Sequence, residues 1–197
     1  MHHKRLNAMT KDEFSQEVKE FAYITNKKSI GFRAPTFSLN KETGWAIDTL
    51  DENGYVYDSS VVPAKTKLYG IPNADTKPYR ISSDSVNQNS SDAKILEFPL
   101  MVTKFFGKKI PAGGGFYLRV LPLGVIEKAI KQYEIQKIPA TFYIHSWELT
   151  PEHMPMVPLP FGDRFITYHN LHKAMSKMGK LMKEFQFTSF EKYINQN

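Results

Sequence analysis

The feature that most constrains this chain is a repeated punctuation. Short apolar runs with strand character stop after a few residues at a proline or a polar group. Ile30-Gly31-Phe32-Arg33-Ala34-Pro35-Thr36 is one, and Tyr55-Val56-Tyr57, ending at Asp58-Ser59-Ser60, is another. Ile95-Leu96-Glu97-Phe98-Pro99 ends in proline, and Ala140-Thr141-Phe142-Tyr143-Ile144 runs into His145-Ser146-Trp147-Glu148. Phe187 to Phe190 reads as a last short strand. Such runs suit buried strands, because β-branched and aromatic residues pack on a pleated surface and proline cannot continue a ladder.

Helical patterns lie between these runs. Thr10 and Glu13 form a capping box ahead of Phe14, Val18, Phe21 and Ala22. Asn40 or Lys41 opens a second helix through Trp45, Ile47 and Leu50, closed by Asn53-Gly54. Pro122 starts a third with Val125, Ile126, Ala129 and Ile130 inward. From Leu171 to Phe185 the pattern predicts core packing by Leu171, Met175, Met178, Met182 and Phe185, with Lys173, Lys177 and Lys180 on a solvated face. Strand alternating with helix predicts an α/β fold with a parallel sheet, layered or closed into a barrel.

A chain of 197 residues, 41% apolar and 23% charged, is one globular domain or most of a larger one. With no cysteine, it has no disulfide, thiolate metal site or Cys nucleophile. The net charge of +6 is dispersed, with Lys27-Lys28 and Lys108-Lys109 as its densest points. There is no block of basic residues interleaved with aromatics, so nucleic acid is not the expected partner, while attraction to an anionic surface or polymer stays open. No apolar run approaches the ~20 residues of a membrane helix. Met1-His2-His3-Lys4-Arg5-Leu6 lacks a signal-peptide core, so the chain as written reads as cytoplasmic.

Residues 61 to 92 are irregular, punctuated by Pro63, Gly70, Pro72 and Pro78, and end in a polar run from Ser82 to Ser91. A loop this long is either a cover over a site, with the polar run as its flexible tip, or a surface excursion. Pro111-Ala112-Gly113-Gly114-Gly115-Phe116-Tyr117 lacks the Lys-Ser/Thr of a phosphate loop. Its glycines allow a close backbone approach or a tight turn.

Arg33, Asp58 and His145 all fall at strand exits, where α/β folds gather reactive side chains. A histidine held by a carboxylate is a tuned acid or base, and an arginine can orient a carboxylate or bind an oxyanion. The bland alternative for His145 is a histidine at the core edge with a hydrogen-bond partner.

Gly31-Phe32-Arg33-Ala34-Pro35, Tyr57-Asp58-Ser59-Ser60, the stretch from Pro111 to Leu118, and Phe142 to Glu148 resemble, in order, the motifs of the polysaccharide deacetylase (NodB-homology) family, in its exopolysaccharide-cluster branch. The resemblance implies a distorted (β/α) barrel and metal-dependent hydrolysis of N-acetyl groups on a polysaccharide or oligosaccharide. It implies a divalent metal, usually zinc, held by one Asp and two His. His145 resembles the general acid, Asp58 the carboxylate that tunes it, and Arg33 the residue that orients the catalytic base. The Thr36 backbone N–H resembles part of the oxyanion hole. Trp147, Phe116 and Tyr117 are candidates to line a sugar cleft, or core residues. His3 resembles the second His of the family's His-x-x-x-His pair. The Asp-Asp motif and first His are not in the sequence, so the chain resembles the C-terminal two-thirds of one such domain, 1–197, lacking its N-terminal strands. An impaired deacetylase and a non-catalytic carbohydrate-binding relative are the competing expectations.

Overall fold

The computed structural model describes residues 2–196. Helix α1 (Lys11–Ile24) starts at the anticipated capping box: the Thr10 side chain accepts from the Glu13 N–H, and the Glu13 carboxylate accepts from the Thr10 N–H. Strand β1 (Gly31–Phe32) follows, then two 3-10 turns (Pro35–Phe37 and Lys41–Thr43) and helix α2 (Trp45–Glu52). Strands β2 (Tyr57–Asp58), β3 (Tyr79–Arg80) and β4 (Leu96–Glu97) complete a sheet of order β1-β2-β4-β3. β1, β2 and β4 are parallel, with Phe32 opposite Asp58 and Asp58 opposite Glu97. β3 runs antiparallel to β4.

The chain then makes an antiparallel hairpin of β5 (Val102–Phe105) and β6 (Lys108–Pro111), which the apolar pattern did not announce. Helices α3 (Gly115–Val120), α4 (Leu123–Ile135), α5 (Ser146–Leu149), α6 (Phe161–Tyr168), α7 (Leu171–Glu184) and α8 (Phe190–Gln196) fill the remainder. Parallel bridges Leu100–Thr141 and Gly114–Tyr143 bring residues 140–144 alongside the glycine loop. The fold is therefore mixed α/β with small sheets.

Three apolar clusters hold these pieces. One packs Phe14 and Val18 of α1 and Ala46, Ile47 and Leu50 of α2 with Tyr55, Tyr79 and Ile95. A second joins Leu118, Ile126, Ala129 and Tyr133 to Leu181 and Phe185. A small third, of Phe37, Val62, Ala64, Leu100 and Val102, has Tyr69 and Tyr143 packed against it. Burial of such side chains, each worth roughly 1.5–3 kcal/mol, is what makes strands of a few residues stable.

Several expectations need correction. The phase of α7 differs: Leu171, Ala174 and Leu181 are buried, while Met175 and Met182 are 53% and 62% exposed. Lys177 is not solvated. Its Nζ donates to the carbonyls of Leu118 and Leu121 at 2.8 and 2.7 Å, capping the last turn of α3. A lysine stem can lie along apolar surface while its head finds orphan carbonyls, so charge alone misplaced the face. Residues 187–189 form no strand, and Phe190 begins a helix. The polar run 82–91 is no tip over a cleft. Val86 is buried, its carbonyl accepts from the Tyr79 hydroxyl, and the Ser83 carbonyl lies against Gly44 ahead of α2.

Candidate functional site

The glycine loop sets the position of the site. A Cβ on Gly113 would stand 2.2 Å from the Thr141 carbonyl, and one on Gly115 would stand 1.9 Å from Glu148 Oε2. Only glycine lets the start of α3 lie against both. Glu148 is thereby pressed into the protein interior at the third position of α5, with His145 as the cap residue.

Three side chains then form a chain of contacts. Glu148 Oε2 accepts from the His145 backbone N–H at 3.1 Å and meets His145 Nδ1 at 3.0 Å. Glu148 Oε1 accepts from Arg119 Nε at 3.0 Å. Arg119 is itself buried and donates to the carbonyls of Ile166 and His169 at the end of α6, at 2.8 and 2.7 Å. Burial pushes the Glu148 carboxyl up, but the His145 donors and the Arg119 charge outweigh it and hold the group below its ordinary range. Glu148 is ionised, and the imidazole is half exposed, with its Nε2 left as the nitrogen available to a ligand. Trp147 stacks on the imidazole, centroids 5.6 Å apart and planes 22° apart.

The carboxylate on His145 is thus Glu148, and not Asp58 as the resemblance implied. Asp58 is fully buried beneath the sheet end and is not among the residues lining the cleft. Its Oδ1 accepts from Ser60 Oγ at 2.7 Å, and Ser60 Oγ in turn accepts from the Ala34 N–H at 2.8 Å. Its Oδ2 finds no donor while both neighbouring carboxyls are ionised. The adjoining Glu97 supplies one only as the protonated acid. Burial, then the Asp58 charge, holds Glu97 well above the ordinary carboxylate range. Burial also raises Asp58, against the donors of Glu97 and Ser60. Both carboxyls therefore hold a proton more tightly than a free carboxyl does.

Arg33 sits above this pair. Its Nε donates to the Ser59 carbonyl and its terminal nitrogen to Ser59 Oγ, both at 2.8 Å. The guanidinium lies 5.1 Å from the Tyr143 ring centroid and 5.8 Å from that of Phe37. Burial lowers its pKa, with the Asp58 and Glu97 charges acting the other way. Thr36 follows with φ of 57°, a left-handed value that costs a threonine about 1–3 kcal/mol and is typical of functional turns.

Arg33, Thr36, Phe116, Tyr117, His145 and Trp147 meet around one cleft of about 570 Å³, and His3 lines its edge. Part of the irregular segment, Thr66 to Tyr69, closes one side. Phe116 and Tyr117 pack edge to face 5.3 Å apart, with Arg119 beside Phe116. Among the described residues no three His, Asp or Glu side chains converge as ligands, so His3, the one implied ligand in this sequence, does not by itself make a zinc site. Glu148 stood in plain view as the fourth residue of His-x-x-Glu, a capping-box spacing with histidine in the cap position. Arg119 showed only as a charge inside the apolar run Leu118-Arg119-Val120-Leu121.

Comparison with known proteins gives one match. Residues 59–195 fit the family described as a domain of unknown function, DUF3473, and the chain belongs to that family. The matched span holds Glu97, Arg119, His145 and Glu148, while Asp58 lies just before it and Arg33 further upstream. No curated protein and no solved structure matches the chain.

Proposed function

With that membership as premise, we propose that this chain carries the proton-donating half of a carbohydrate N-deacetylase site, which hydrolyses N-acetyl groups on a sugar polymer. The family is known as the C-terminal part of exopolysaccharide-cluster polysaccharide deacetylase proteins, which supports the reading. The observation that carries it is the buried Arg119–Glu148–His145 chain, which opens onto a cleft with aromatic walls. Breaking an amide C–N bond expels a poor leaving group, and the nitrogen must gain a proton as the bond breaks. With Nδ1 held by an ionised carboxylate, His145 presents Nε2–H to that nitrogen. Arg119 keeps the carboxylate ionised and in place, so it acts as a positioning residue. Arg33 and the strained turn at Thr36 offer donors toward an oxyanion. Trp147, Phe116 and Tyr117 offer flat faces to sugar rings. The parallel strands and the bridges beyond them are read as one sector of a distorted (β/α) barrel.

The test is acetate release from N-acetylated oligosaccharides with zinc supplied. Slow release is expected, lowered about a hundred-fold or more by His145→Gln. Tight oligosaccharide binding with no acetate release, unchanged by that substitution, would sink the proposal in favour of a binding module.

A further inference from the structure

The hairpin β5–β6 lies outside the cleft and breaks two local rules at once. Its turn residues, Phe106 and Gly107, have φ of 46° and 75°. Two positive values make the tight turn that favours Asn-Gly, and a phenylalanine at the first position is strained. That phenylalanine is 90% exposed. The register also sets Lys104 opposite Lys109, like charges across a ladder, and Phe105 opposite Lys108. Lys109 Nζ donates to the Pro72 carbonyl at 2.7 Å. Lys104 and Lys108 are exposed on either side of the aromatic tip. Lysines separated in sequence are thus gathered beside an apolar point.

The flank facing α4 extends the same character. A groove of about 730 Å³ runs there, lined by Lys104, Lys109, Lys128 and Ile135 among others, with no acidic residue in its wall. Ile135 is 80% exposed. A fold tolerates local costs of this kind where the surface has a use.

We propose that this hairpin tip is a peripheral docking site for a lipid surface with anionic headgroups. Lysines meet the headgroups while Phe106, standing out from a turn, enters the acyl boundary, and neither signal alone holds a protein at a membrane. A soluble polyanion would use the lysines and leave the protruding ring without a role, which favours lipid. Attachment here needs no spanning helix, and none of the described helices is long and apolar enough to cross. The inference is independent of the deacetylase reading.

The test is sedimentation of the full chain with phosphatidylglycerol and with phosphatidylcholine vesicles. Binding to phosphatidylglycerol alone, weakened by salt, is expected. Phe106→Asn restores the favoured Asn-Gly turn, so its thermal stability should hold or rise while vesicle binding falls roughly ten-fold. Lys104→Glu with Lys108→Glu should lower binding by at least about five-fold per lysine. Failure to bind phosphatidylglycerol vesicles overturns the proposal. So does equal binding to phosphatidylcholine. Binding that Phe106→Asn leaves unchanged while the lysine variant loses it also overturns it, and identifies a polyanion surface instead.

Discussion

Two buried carboxylate sites lie in this protein, Asp58 and Glu97 at strand ends and Glu148 in helix α5, and they solve the same problem in opposite ways. Glu148 has a guanidinium on one oxygen and an imidazole on the other, and it is ionised. Asp58 and Glu97 have each other and neutral donors, the Ser60 hydroxyl and the Val61 N–H, with the Arg33 guanidinium held by Ser59 rather than by either carboxylate, and burial raises the pKa of both. Burial opposes charge at both places. The difference is whether a cation makes direct contact. The first arrangement can orient and hold a proton donor at the surface of a cleft. The second ties β2 to β4 and supports the turn that carries Arg33.

The comparison breaks most sharply at Arg119. Arg119→Met leaves Glu148 buried without its cation, which converts it to the situation of Glu97. Loss of about 3–5 kcal/mol is expected in urea unfolding at neutral pH. If the loss is under about 1 kcal/mol, the guanidinium does not hold the carboxylate. Glu148→Gln should act next most strongly. The amide keeps one contact to His145 but no negative charge, so acetate release should fall about ten- to a hundred-fold, while oligosaccharide affinity changes little. A matching loss in affinity would make Glu148 structural only.

The pH dependence separates the sites further. The Asp58–Glu97 pair holds a proton more tightly folded than unfolded, so it makes stability fall as pH rises above the ordinary carboxylate range. Glu148 binds its proton less tightly when folded. Its contribution is present above the ordinary value of 4.5 and is lost as pH falls through its depressed pKa. Asp58→Asn puts an N–H₂ where the unpartnered Oδ2 stands. It should flatten the alkaline slope and gain about 1 kcal/mol near pH 8 relative to the parent, with little change in acid. Glu148→Gln should flatten the acid limb instead. Melting temperatures across pH decide this, and identical profiles for the two variants would end the distinction. The smallest effect is expected at Lys177→Met, which removes the cap on α3 beneath Arg119. About 1 kcal/mol should be lost, with no change in either pH limb.

Much of this was readable from local rules. The Thr10–Glu13 capping box, the helix from Pro122 with Ile126 and Ala129 inward, and the Tyr57-Asp58 strand exit appear where the pattern puts them, because each depends on neighbours within a few residues. Arg33, Thr36, His145 and Trp147 do meet at one cleft. The stripe on α7 was misread because a helix with leucine, alanine and methionine on adjoining faces has no unique apolar phase until α3 and α5 pack against it. The α6 helix does carry a helical recurrence at Phe161, Phe165 and Ile166, behind a proline-rich approach, and the β5–β6 hairpin has Phe106 at a turn position where Asn or Gly is the usual signal.

The strands β1, β2 and β4, the cap of α1 and the order of motifs were therefore determined by the sequence alone, since propensity and capping act over one or two turns. The i,i+3 spacing puts Glu148 within reach of His145, and the tertiary structure decided between it and Asp58. Asp58 had the motif, but Glu148 has the contact, because Gly115 removes the one side chain that would keep that carboxylate out and Arg119, 29 residues away, supplies its counter-charge. Proton affinity followed the same logic: burial side by side raises the pKa of both Asp58 and Glu97, while the donors of His145 and the Arg119 cation lower that of Glu148.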